Sequence, residues 1–336
     1  MSRWKLPIAI MVLLLAGGGL GAGLWLRSAL QPVGATEQQL FHVPNGSSGG
    51  SVAGALRRAG LIRDARAFKI GLRIWGLGAE LKPGYYDVSA DMSPKAIAEK
   101  IASGDTAKWR LTIPEGFTAE QIAERASEHP TIDAQRFLTL VRGTELAAEA
   151  GLDLPGASGL EGFLFPETYP LEYGISDRGL ILALLHQFKS QVKPLEEEIA
   201  ASALSLTEVV TLASLIERET MLAEERTVVS AVYHNRMARG MLLECDATVV
   251  YAWLQQGVFK ERLLYRDLEI DSPYNTYKYP GLPRGPIANP GLDCIKAALR
   301  PADVDYLYYV ARGDGGHVFT ETLRNHLNAI ARIRGR

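Results

Sequence analysis

Two glutamates near the middle of the chain, Glu217 and Glu219, have the type and spacing best suited to acid-base chemistry. They lie in the segment LASLIERET, residues 212–220, and the eight residues before Glu217 include only two polar side chains. A helix that is apolar nearly all round is typical of a protein core, so its polar end lies against that core. A carboxyl group placed there loses solvation and keeps a proton near neutral pH, as a general acid must. The alternative is a charged, solvated helix end without a catalytic role.

Helices must position these carboxyl groups. The pattern predicts helices over residues 177–202, 207–222 and 224–239, with Gly240 ending the last of them. Residues two apart on a helix point to different faces, so Glu217 and Glu219 should have different surroundings. Periodicity alone leaves open which of the two faces a substrate.

Composition excludes several classes of function. The chain has 336 residues, 47% of them hydrophobic and 22% charged, which is enough for two or more globular domains. Because 36 basic residues balance 38 acidic ones, no basic excess indicates a nucleic-acid partner. The histidines and the two cysteines show no metal-ligand spacing, so no metal or cofactor is predicted. Whether Cys245 and Cys294 form a disulfide stays open.

The amino terminus predicts a membrane anchor. Residues 6–26 carry no charge and would form a helix about 30 Å long, enough to cross a bilayer. Arg3 and Lys5 favour a cytoplasmic tail over residues 1–5, which sends the rest of the chain out of the cytoplasm and predicts a single-pass protein of the inner (cytoplasmic) membrane. A cleaved signal peptide is the alternative. Residues 27–39 then read as a linker.

A repeated pattern follows the linker. The segment VPNG at residues 43–46 returns seventy positions later as IPEG, and each copy predicts a strand, a turn and a helix. Between them, residues 84–88 predict a strand, and Pro94 to Gly104 a helix. This layout resembles the LysM family of glycan-binding modules, so residues 40–104 are predicted as a LysM-like subdomain. A structural spacer is the alternative. Residues 105–150 form the second strand-helix unit and its connection.

Residues 151–336 are predicted to form the larger, catalytic domain. Residues 246–251 predict a strand or the start of a helix, Asn289 and Pro290 start another helix, and residues 306–320 predict a β-hairpin around a glycine-rich turn. The predicted fold class is therefore α+β, with an N-terminal transmembrane helix, a small LysM-like α+β subdomain and a larger mixed α+β domain.

Five motifs occur in one order along the chain: LEGFLFPETY, LASLIERET, YNTY, GLPRGPIANPG and GGHVF. Together they resemble the endolytic murein transglycosylase family, also called YceG-like, over essentially the whole length. The resemblance implies cleavage of the β-1,4 bond between N-acetylmuramic acid and N-acetylglucosamine inside nascent peptidoglycan strands. It also implies 1,6-anhydro ends and termination of strand elongation. Arg284 departs from the family, which more often has proline there.

The resemblance assigns the catalytic role to Glu217. One carboxyl group can protonate the leaving oxygen and then accept the proton of the C6 hydroxyl. Aromatic and hydrogen-bonding side chains suit a sugar-binding groove. The predicted substrate-binding residues are Glu161, Phe165, Glu167, Tyr169, Glu219, Asp246, Thr248, Tyr274, Asn275, Thr276 and Tyr277.

Two alternatives stay open. A muramidase that hydrolyses the same bond would need a second essential carboxylate, such as Glu161 or Glu167. A non-catalytic glycan-binding scaffold would need no essential glutamate. The implied partners are peptidoglycan strands, the membrane through the N-terminal helix, and peptidoglycan polymerases.

Overall fold

The computed structural model describes residues 5–34 and 36–335, without the side chains of residues 5–10 and 12–15. Most of the predicted tail, residues 1–5, therefore lies outside the described residues, as do many side chains of the predicted span. The chain divides into two compact units, one formed by Met1–Trp109 and Pro170–Gly174 and the other by Arg110–Tyr169 and Ile175–Arg336.

The first unit is a small α+β structure around one apolar core. Strands β1 and β2 pair antiparallel with Phe41 opposite Tyr86, and side chains from both strands and from α2, α3 and α4 fill the core. The Tyr86 hydroxyl, buried with its ring, donates a hydrogen bond to the Lys82 carbonyl at 2.8 Å. Its elements are α1 (Lys5–Ala29), β1 (Gln38–Val43), α2 (Gly49–Arg58), α3 (Ala65–Ile74), β2 (Gly84–Ser89) and α4 (Pro94–Ser103).

No single helix among the described residues is long and apolar enough to span a bilayer. A pair of consecutive helical segments, Asp177–Ala201 and Leu206–Glu219, passes the length and composition criteria together, but the two are bent by 111°.

The second unit is mainly helical, with short strands. Strands β3 and β4 pair with each other, and β5 and β6 form the predicted antiparallel hairpin, with Val310 opposite Val318. Helices α10 and α13 pack against each other. The strands β3 (Lys108–Thr112) and β4 (Thr168–Glu172) each have residues in both units. The other elements of the second unit are α5 (Ala119–Ala126), α6 (Ala134–Val141), α7 (Glu145–Glu149), α8 (Asp177–Val192), α9 (Glu196–Ala201), α10 (Leu206–Glu219), α11 (Arg226–Ala238), α12 (Asp246–Leu254), α13 (Leu292–Leu299), β5 (Tyr308–Ala311), β6 (His317–Thr320) and α14 (Leu323–Arg334). The boundary between the units falls within β3 and β4.

The repeated pattern is confirmed as strand, turn and helix. In both copies a strand leads through a turn glycine, Gly46 or Gly116, with φ of 74° and 75°. An N-cap hydroxyl, from Ser48 or Thr118, then accepts a hydrogen bond from the first turn of α2 or α5. The turn of the second copy places Glu115 and Gly116 next to Glu217, near the carboxyl end of α10.

Two predictions of helix boundaries change, and one open alternative is decided. The helix predicted over residues 177–202 is broken by a 3-10 turn at Lys193–Leu195, where proline cannot continue the α-helix. Of the two alternatives predicted for residues 246–251, the structure has the start of a helix, α12. The helix predicted to start at Asn289 begins at Leu292 with Gly291 as N-cap, because the Asn289 side chain bonds elsewhere in the fold.

Candidate active site

Helix α10 carries both predicted glutamates at its carboxyl end. Ser205 and Glu208 form a capping box at the start, and the residues from Val209 to Ile216 are all buried. Beyond them the helix leaves the core: Glu217 and Glu219 are partly exposed and Arg218 is exposed. A long buried helix therefore fixes two carboxyl groups where solvent reaches them.

Glu217 is held by backbone and thiol donors. The Gly291 N–H donates to Glu217 Oε2 at 2.9 Å, and the Cys294 thiol also hydrogen-bonds to this carboxylate. Burial and the charge of Glu217 both raise the pKa of Cys294, so the thiol stays protonated as a donor. Gly116 packs beside this carboxylate: a Cβ there would lie in ordinary contact, 3.5 Å from Glu217 Cγ, and its φ of 75° favours glycine.

A backbone ladder joins the two segments around Glu217. Gly116 N–H donates to the Asn289 carbonyl at 2.9 Å, and Asn289 N–H donates to the Phe117 carbonyl at 2.8 Å. The Asn289 side chain accepts from Leu164 N–H at 2.8 Å. Asn289 is fully buried, so this ladder is a rigid support.

Three further charged residues surround Glu217, and the sequence did not predict them as site residues. Arg226 lies between Glu115, at 4.0 Å, and Asp293, at 3.6 Å. Partial burial raises the pKa of Glu115, and the negative charge of Glu217 raises it further. Because Glu115 and Asp293 are half-exposed or more, the cluster is open to a substrate. The one available signal was that the turn of the second repeat has Glu115 where the first has Asn45.

Glu219 has different surroundings, as its position on the helix predicted. It accepts a hydrogen bond from Tyr309 at 3.1 Å and one from the Cys245 thiol at 3.3 Å. The Tyr309 hydroxyl lies 2.8 Å from that of Tyr233, which is buried. Burial raises the pKa of Glu219 although both donors lower it. Glu219 thus joins α10 to the hairpin. Both cysteines are free, and each bonds a different glutamate.

Glu161 lies at a separate cavity of about 500 Å³. It accepts hydrogen bonds from Ala119 N–H at 3.1 Å, from Asn289 Nδ2 at 2.8 Å and from the Tyr251 hydroxyl at 3.2 Å. Burial raises the pKa of Glu161 to about 8, and the charge of Glu120 adds to this. The carboxyl group therefore keeps its proton at neutral pH.

The exposed or half-exposed predicted binding residues fall into separate groups. Tyr274 lines the same cavity as Glu161 and packs edge-on against Tyr251, with ring centroids 4.9 Å apart. The Tyr277 hydroxyl donates to exposed Asp246 at 2.5 Å. Glu167 is exposed and accepts from the N–H of the next residue at 3.0 Å. Of these residues, the structure brings only Glu161 and Tyr274 together at one cavity.

Five predicted binding residues are buried, which corrects the expectation that they contact sugar directly. Asn275 is 1% exposed, and its amide donates to the carbonyls of Leu268 and Ile270 at 2.8 Å each. Amide and hydroxyl groups bonded within the fold hold the loops in place. The hydroxyls of Thr248 and Thr276 lie 2.9 Å apart, and Tyr169 donates to the carbonyl of buried Phe165 at 2.6 Å.

Comparisons with known proteins agree on one family. The profile of the YceG-like family matches residues 41–332. An endolytic murein transglycosylase of Bacillus subtilis is 34% identical over 324 residues, which cover 92% of this chain and 89% of the relative. One from Streptococcus pneumoniae is 30% identical over 95% of this chain and 62% of its own length. The crystal structure of a YceG-like protein from Listeria monocytogenes aligns with a TM-score of 0.61 and 31% identity, over 87% of this chain and 99% of the other. The chain therefore belongs to the YceG-like family.

Proposed function

We propose that this protein is an endolytic murein transglycosylase. It cleaves the β-1,4 bond between N-acetylmuramic acid and N-acetylglucosamine within peptidoglycan strands, leaves 1,6-anhydro ends and so terminates strand elongation. The names of the relatives support the activity and the substrate class. The observation that carries the proposal is the position of Glu217, half-exposed at the end of a buried helix with one oxygen held by the Gly291 N–H.

Glu217 performs both proton transfers in this reaction. Protonated, it donates to the glycosidic oxygen as the bond from that oxygen to C1 of N-acetylmuramic acid breaks. The resulting carboxylate then accepts the proton of the C6 hydroxyl, whose oxygen bonds to C1 and closes the anhydro ring. Atoms balance without water, and Glu217 ends as it began. The Gly291 N–H keeps the carboxyl group oriented between the two steps.

The neighbouring charges suit the transition state. Bond cleavage leaves positive charge on the sugar ring, and preorganised negative charge stabilises it. Glu115 and Asp293 supply that charge near Glu217, and Arg226 lies between them as their shared ion-pair partner. A muramidase would use one of them to activate water. The nature of the new sugar ends separates these reactions.

The membrane location belongs to the same proposal. Residues 6–26 anchor the chain in the inner membrane, with residues 27–336 outside the cytoplasm, beside the polymerases that make new strands. The uncharged run and the preceding Arg3 and Lys5 support this arrangement. Two observations support the LysM-like role of residues 40–104. Their elements follow in the order β1, α2, α3 and β2, and the antiparallel strands share one apolar core with the helices.

The test uses the purified full-length protein and peptidoglycan strands, with the product ends identified by mass spectrometry. Wild-type protein should produce new 1,6-anhydro ends within strands, and Glu217→Gln should produce none while remaining folded. The matched control is Glu224→Gln, since Glu224 is exposed and lies in the turn that follows α10. Reducing ends instead would establish a muramidase. If wild-type protein leaves the strands uncut, the protein is a non-catalytic scaffold.

A further inference from the structure

The cavity beside Glu161 has two arginines on its rim. Arg142 follows α6 and Arg284 lies in the loop before Pro286; both side chains are exposed and line the cavity. Neither forms an ion pair with a carboxylate in the part of the chain that the structure describes. A guanidinium group offers several donors in a planar fork that matches a carboxylate. These donors are free to bind a ligand.

The charge of the cavity favours an anion. Glu161 keeps its proton at neutral pH, because burial raises its pKa to about 8. Glu120 is the other carboxylate among the residues that line this cavity. It also lines a second cavity of about 260 Å³, and Arg284 also lines a third of about 520 Å³, whereas Arg142 lines only the first. Two positive charges therefore face one negative charge.

The cavity lies close to the reacting carboxyl group. The Asn289 amide bonds to Glu161, and two residues later the Gly291 N–H bonds to Glu217. Two residues of extended chain span at most about 7 Å. The segment 289–291 therefore connects the wall of the cavity, at Glu161, to Glu217.

We propose that the cavity binds a carboxylate of the stem peptide on the glycan strand, through Arg142 and Arg284, so that the enzyme favours strands with peptides. The proposal rests on the proposed function. N-acetylated sugars are uncharged, and the lactyl carboxyl of N-acetylmuramic acid is in amide linkage wherever a peptide is attached. The remaining negative charges of such a strand are on the peptide. Tyr251 and Tyr274 add aromatic walls for the peptide.

The experiment compares two substrates, strands with free stem-peptide carboxylates and the same strands with those carboxylates amidated. We expect wild-type protein to have the lower KM on the free form. The double variant Arg142→Gln/Arg284→Gln should raise that KM about tenfold, since a charge-assisted hydrogen bond contributes about that factor to binding. Its kcat should not change, and its KM on amidated strands should stay at the wild-type value. Arg324→Gln, on the exposed face of α14, is the control.

Binding is also measured without catalysis, which separates this proposal from the proposed function. In a Glu217→Gln background, a disaccharide with its stem peptide should bind more tightly than its amidated form in titration calorimetry. The double arginine variant should lose this difference. Equal binding of the two forms, or a preference that survives the double variant, would overturn the peptide site. Preferential binding without cleavage by wild-type protein would instead overturn the proposed function and leave the peptide site standing.

Discussion

Glu161→Gln should make the stability of the protein less dependent on pH. In the folded chain the pKa of Glu161 is raised from its ordinary value of 4.5 to about 8. Between these values the folded chain holds a proton that the unfolded chain has released, so unfolding becomes more favourable as pH rises. The slope for one proton is about 1.4 kcal/mol per pH unit. From pH 5 to pH 7.5 the free energy of unfolding of the wild-type protein should fall by about 3 kcal/mol relative to that of the variant.

Glutamine suits this test because it is neutral at every pH. Its amide oxygen can still accept from the Ala119 N–H, and its NH₂ group can donate to the Tyr251 hydroxyl. The assay is urea unfolding at a series of pH values, followed by tryptophan fluorescence, to which Trp253 in α12 contributes. Glu167→Gln removes an exposed carboxylate and should keep the wild-type pH dependence. A constant free-energy difference between wild type and Glu161→Gln from pH 5 to 7.5 would refute the reasoning.

Three other substitutions distinguish residues that act in catalysis from residues that stabilise the fold. Glu217→Gln should reduce kcat by roughly 100-fold or more while stability changes by less than about 1 kcal/mol, because the amide oxygen can still accept from Gly291; product assays and thermal unfolding check this. Asn275→Ala leaves two buried carbonyls without their donors and should cost about 2–4 kcal/mol, measured by urea unfolding; a loss below 0.5 kcal/mol would contradict its supporting role. Tyr309→Phe removes the hydroxyl that joins Glu219 to its neighbours and should cost about 1–3 kcal/mol with the same cleavage products, whereas altered products would assign Glu219 a chemical role.

Local signals predicted the helices whose ends are decided by nearby residues. Helix α4 was predicted from Pro94 to Gly104; it has Pro94 at its first position, after the N-cap Ser93, and ends at left-handed Gly104. The hairpin around the glycine-rich turn was predicted for the same reason. Asn289 failed as an N-cap because its side chain has partners more than a hundred residues away, Leu164 and Glu161. Capping preference is a local tendency, and such tertiary bonds override it.

The site was predicted only in part because it is assembled from distant segments. A buried helix ending in two carboxyl groups could be read from periodicity, and so could their separation onto different faces. The cluster of Glu115, Arg226 and Asp293 could not, since its members come from three regions of the chain. Sequence patterns also did not predict which loop residues are buried. Asn275 was predicted to bind substrate, but the packed structure shows that its amide faces inward.

The most direct test of the account is to digest peptidoglycan with the purified protein in water labelled with oxygen-18. If Glu217 acts alone and the C6 hydroxyl closes the ring, no water enters the product, so the new muramic ends should be anhydro and unlabelled. A muramidase would add one labelled oxygen to every new reducing end. Mass spectrometry distinguishes the two outcomes in one spectrum. Labelled reducing ends in the wild-type product would contradict the single-carboxylate mechanism. Their loss in Glu115→Gln would identify Glu115 as the second carboxylate.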